Sequence, residues 1–235
     1  MNKIFANKKV MDKKATDKKV RGWDYILLAL TAFGGLGMEV LYAWILEPNL
    51  LGFSEQMSEW SVGQAIFHWI LTCITWGLFA WYAISDAKKS FGFDIFEQKS
   101  KLKKWQWCAV AVCIVVAIAS SYVSWDGFKI IEEFKNKGAL LFTFQYIYYA
   151  FETVLFMLII VFAQKAFETW FKNDKIPYGG IVCGLTWGLA HAFTKGSLLA
   201  GMEGIFFGFL LGTAYLFAGR DIKRTYVILF IMFAC

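Results

Sequence analysis

The chain has 235 residues, 58% of them hydrophobic and 19% aromatic, with two prolines, a mean hydropathy of +0.50 and a net charge of +6. A soluble core of that size cannot hide so much apolar side chain, and exposed patches of it would aggregate. Disordered, collagen-like and low-complexity classes fall to the same composition, which leaves an all-α polytopic membrane helical bundle.

The positive charge does not point to nucleic acid. Eight of the 24 Lys and Arg side chains lie in the first 21 residues, and most others fall in short segments between apolar runs. Charges so placed face the anionic headgroups of a membrane. Residues 1–22 therefore read as a basic cytoplasmic tail and residues 23–235 as a transmembrane domain. The first apolar run is too long for a signal h-region and lacks a small-residue cleavage site.

A helix needs about 20 apolar residues to cross the hydrocarbon. Runs of that kind lie at 25–46, 62–84, 105–125, 139–163, 176–194 and 198–219, so six full transmembrane helices are expected. A short seventh, 225–235, reaches only about 16 Å. It either enters without crossing or belongs to a longer parent sequence. Alternate loops then carry twenty Lys and Arg on one side and four on the other, which puts the N-terminus in the cytoplasm of a multi-pass cell-membrane protein.

In the fifth and sixth runs glycine recurs every fourth residue, at Gly180, Gly184 and Gly188 and at Gly204, Gly208 and Gly212. A face without side chains lets a neighbouring backbone approach, so these two helices are expected to touch along their glycines.

Ionisable groups inside such runs are costly and mark candidate sites. Glu39 lies close enough to the outer end of its helix to be read as interfacial, His68 beside Trp69 reads as an interfacial or satisfied histidine, and Glu203 is placed to cap or to reach outward, or to join a cleft. Glu152 and His191 are deeper, about 16 and 22 Å from the inner ends of antiparallel helices, hence at one level. A carboxylate and an imidazole at one level can share a proton or activate a water, or form a structural hydrogen bond. Gln145, Tyr148 and Tyr149 lie on or near the face of Glu152 and could line a polar cleft, and Trp187 lies one turn before His191. The five cysteines form no CxxC pair, and the two histidines are far apart. No metal or other cofactor is called for.

The segment 139–235 resembles the CPBP family, the CAAX proteases and bacteriocin-processing enzymes also called Abi proteins, which are metal-independent intramembrane peptidases. Three features carry the likeness. Glu152-Thr-Val-Leu-Phe156-Met157 stands in the place of Glu-Glu-x-x-x-Arg, Trp187-Gly-Leu-Ala-His191 in that of Phe-x-x-x-His, and the glycine-rich helix from Phe206 to Gly219 follows. The resemblance implies that Glu152 and His191 activate water against a membrane-associated peptide or protein. Its departures are Thr153 for the second glutamate, Met157 for the arginine, and Ile228 and Met232 where a final His-x-x-x-Asn pair would stabilise the oxyanion. Tyr148, Tyr149 or Gln145 could substitute for that pair. Alternatively, the chain is a non-catalytic relative, a membrane binding or bacteriocin-immunity-type protein, or a transporter component using Glu39, Glu152 and Glu203. The oligomeric state is not legible.

Overall fold

The computed structural model describes residues 20–98 and 100–235, and these contain helices and connecting loops with no strand. Most of the expected basic tail lies outside the described residues. Helix α1 runs from Gly22 to Leu51, α2 from Val62 to Phe91, α3 from Lys104 to Trp125 and α4 from Lys129 to Phe171. Helix α5 covers 178–194, α6 is Leu198–Phe217 and α7 is Ile222–Ala234. The loops at 52–61, 126–128 and 195–197 share one end of the bundle, called the far end. Those at 92–103, 172–177 and 218–221 share the near end.

Five helices, α1 to α4 and α6, are long and apolar enough to cross a membrane. Helix α5 is shorter than its expected run because it starts at Tyr178, after Pro177. At 1.5 Å per residue it spans roughly 26 Å, and α7 roughly 20 Å. The fold is thus an all-helical membrane-type bundle with five such spans, two shorter helices completing it.

Local chemistry sets the ends. Ser61 caps α2 by accepting from the amide of Gln64, whose side chain bonds back to Ser61. Asp221 caps α7 in the same sense, accepting from the Arg224 amide at 3.1 Å. Glycine in the left-handed region, at Gly52 and Gly92, ends α1 and α2.

Helix α4 is the axis of the bundle, with α1, α2, α5 and α7 packed around it. From Leu155 to Ala163 every side chain is buried, so this stretch touches protein on all faces. Helix α3 packs outside, on α6 and α7. The outward faces of α2 and α3 remain greasy, with Ile74, Leu78, Trp81, Val112, Val115 and Val123 exposed, as lipid contact requires.

The glycine faces of α5 and α6 meet as expected. A Cβ added at Gly188 would strike the backbone carbonyl of Gly204, and one at Gly180 would strike Gly208 and Gly212. Only a missing side chain allows that approach.

Two expectations about boundaries need correction, and α5 adds a feature of its own. Helix α1 does not stop at 46; it continues through a π turn at Tyr42–Leu46 into Glu47–Leu51. The expected outer loop 126–138 is reduced to 126–128, since 129–137 is helical and joins the rest of α4 across a kink at Gly138, with φ 70° and ψ 169°. Backbone of that kind is open essentially to glycine alone. Lastly, α5 contains its own π turn at Gly184–Gly188.

Candidate functional site

The two π turns lie at Tyr42–Leu46 in α1 and at Gly184–Gly188 in α5. Such a turn takes up one extra residue. Glu39 and Glu47, eight positions apart, would stand about 80° apart around a regular helix; the wide turn between them reduces this to about 20°. The two carboxylates then bracket one side chain of α2. His68 is fully buried, its Nδ1 2.8 and 3.0 Å from the carboxylate oxygens of Glu47 and its Nε2 4.0 Å from Glu39 Oε1. Glu47 is only 1% exposed, and Trp60 from the 52–61 loop packs its ring on the imidazole at 5.1 Å.

His68 is therefore a core histidine satisfied at Nδ1, while Glu39 beside it keeps 28% of its side chain exposed. His68 is a core group whose charge partner, Glu47, belongs to a stretch expected to be loop. The signal that could have found this pairing is a lone histidine in an apolar run with two acids eight apart on the preceding helix. The π turn that aligns them leaves no mark in the sequence.

Glu152 is buried on α4 and accepts a hydrogen bond from the Trp187 indole N–H at 2.8 Å. His191, half-buried on α5, bonds through Nδ1 to the Trp187 backbone carbonyl at 2.9 Å, and the two rings meet edge to face at 4.8 Å. A carbonyl only accepts, so Nδ1 carries the proton and the neutral ring presents its Nε2 lone pair. Glu152 and His191 make no direct hydrogen bond or ion pair; Trp187 holds both. Its ring is fixed by Phe156 and Phe233, with centroids at 5.0 and 5.7 Å.

Tyr148 is buried between these two groups, its ring 4.7 Å from Trp76. Tyr148, one turn before Glu152 on α4, also meets Trp69 of α2, with ring centroids 6.4 Å apart. Gln145 and Tyr149 are committed elsewhere. The Gln145 amide donates to Glu133 at 3.0 Å and to the Tyr149 hydroxyl at 2.6 Å, and that hydroxyl donates to Glu133 at 2.6 Å. Lys129 closes this second cluster, donating to the Phe233 carbonyl at 2.8 Å and lying 4.5 Å from the centre of the Tyr149 ring. The cluster ties the short helix before Gly138 to the body of α4 and to α7.

Glu203 is exposed on α6 and has no hydrogen bond or ion pair among the described residues, so it belongs to neither cluster. Ile228 and Met232 are buried apolar groups. Two grooves, about 220 Å³ between α2 and α4 and about 320 Å³ beside Met157 and Lys223, are lined almost wholly by apolar side chains. Neither includes Glu152 or His191. No group of three or more His, Cys, Asp or Glu among the described residues is arranged to hold a metal.

Around Trp187 the arrangement supplies an imidazole with a free lone pair and a carboxylate with one free oxygen, with the Tyr148 phenol one turn before Glu152 on α4. That set can accept, hold and return protons. Comparison with protein-family models, with curated proteins and with solved structures gave no match.

Proposed function

We propose that the chain is a divergent intramembrane peptidase of CPBP type, cutting a membrane-associated peptide or protein with water activated by Glu152 and His191. In this reading six helices cross the membrane, the seventh is short, and the N-terminus lies in the cytoplasm. The observation that supports it is the joint anchoring of Glu152 and His191 by Trp187, which ties a carboxylate and an imidazole to one residue. His191 Nε2 takes a proton from water, and the hydroxide attacks the peptide carbonyl. The imidazolium then returns the proton to the leaving amine while Glu152 stabilises its charge. With Gln145 and Tyr149 bound to Glu133, Tyr148 is the substitute donor for the oxyanion that the final helix does not supply.

Apolar, buried Ile228 and Met232 favour a second reading, a membrane binding or immunity-type protein that keeps the fold without the chemistry. One experiment separates the two. Full-length protein in nanodiscs is incubated with lipidated and leader-type peptides beside Glu152→Gln and His191→Asn variants. Cleavage by the parent with at least a hundredfold loss in both variants supports the peptidase. Peptide binding without cleavage by the parent overturns it in favour of the binding protein.

A further inference from the structure

Helix α2 carries a row of buried polar atoms that the proposed chemistry does not use. His68 Nε2, Thr72 Oγ1 and Trp76 Nε1 have no hydrogen-bond partner among the described residues, and all three side chains are fully buried. They are spaced four residues apart, so they follow one inclined ridge of the helix over about 12 Å. Of the helical threonines described, only Thr72 and Thr225, on α7, are buried with the hydroxyl unpartnered. Thr75, Thr143, Thr153 and Thr169 all donate to the carbonyl four residues earlier, at 2.7 to 3.0 Å, whereas Thr72 does not. Its hydroxyl is left for another partner.

A buried donor or acceptor without a partner loses its hydration and gains nothing in return, and three on successive turns would compound the loss. The usual resolution in a folded protein is internal water making several hydrogen bonds. Polar groups stand at both ends of the ridge. At the far end, Glu39 is 28% exposed and stands 4.0 Å from His68 Nε2, too far for a direct bond. At the deep end the Trp76 ring lies against Tyr148, one turn from Glu152 on α4.

We infer that a file of water molecules runs along this ridge between α1, α2 and α4, entering at Glu39, passing His68 and Thr72, and ending at the Trp76 indole beside Tyr148. The Glu47 carboxylate fixes the His68 ring so that Nε2 faces the file. As the supply of hydrolytic water to Glu152 it rests on the peptidase reading; as a hydrated path it stands apart from it.

The test is hydrogen–deuterium exchange of the Trp76 indole N–H and the α4 backbone amides in the full-length chain, uniformly 15N-labelled and held in nanodiscs. The Trp76 signal is assigned by its loss in Trp76→Phe. A file predicts that the Trp76 indole exchanges at least tenfold faster than the backbone amides of the fully buried stretch 155–163. Thr72→Val, which blocks the file with a group of the same shape, slows that exchange at least tenfold, and Thr72→Ser restores it. A Trp76 indole as protected as those amides overturns the inference, as does an exchange rate indifferent to Thr72→Val in protein whose α4 amides remain protected. Fast exchange without peptide cleavage leaves the file and removes the peptidase; cleavage with a protected Trp76 does the reverse.

Discussion

The Trp187 indole N–H donates to Glu152 Oε1 at 2.8 Å, joining α5 to the buried carboxylate of α4. The same residue accepts from His191 through its backbone carbonyl, so one tryptophan sets the position of both groups on which the proposed chemistry depends. Because α5 bulges at Gly184–Gly188, Trp187 lies in a wide turn. Such turns often mark functional positions.

Trp187→Phe keeps most of the ring packing and deletes the donor. A buried acceptor left unpaired costs about 1–3 kcal/mol. Unfolding in mixed micelles should show a loss of that size, together with lower peptide cleavage. Unchanged stability would mean that this bond does not hold Glu152.

The α5–α6 contact gives a sharper contrast. Gly188→Val drives a side chain into the Gly204 backbone and should destabilise by about 1–3 kcal/mol. Gly37 faces open space, so Gly37→Ala should be neutral or stabilising by up to about 1 kcal/mol. Equal effects of the two substitutions in the same unfolding assay would contradict the glycine packing.

At the near end, Asp94 lies outside the membrane-spanning segments. Its carboxyl is held below the usual range by the Lys88 ammonium, and the Phe96 amide adds to the effect. A depressed value in the folded state means that this anchoring is complete at neutral pH and is lost as pH falls through that value. Backbone amides of 95–98, corrected for intrinsic rates, should exchange faster at about pH 3 than at about pH 6. Asp94→Asn should abolish the difference. Equal protection at both pH values in the parent would contradict the pairing.

The helical membrane-type fold and the glycine contact were legible, because hydropathy marks long apolar helices and a four-residue glycine spacing marks one face. Sequence reasoning missed what depends on register. Glu47 lies beyond the expected end of the first helix, and only the π turn at Tyr42–Leu46 turns it toward His68. Gly138 likewise hides a kink that makes the neighbouring lysines helical and buries Lys129 and Glu133. It also placed Gln145 and Tyr149 on the right face without knowing that Glu133 would engage both. Glu203, set apart from Glu152 by its place early in the helix, stands exposed, on a helix whose glycine face is turned to α5.

The central claim is that Glu152 and His191 deliver water to a peptide bond, and isotope transfer tests it most directly. Full-length protein in nanodiscs would be incubated with a lipidated or leader-type peptide in water enriched in 18O, and the fragments weighed. The account predicts one heavy oxygen in the newly formed carboxylate of the N-terminal fragment, and no fragment with Glu152→Gln. Fragments without the label, equal yields from parent and variant, or no fragments from the parent would contradict it.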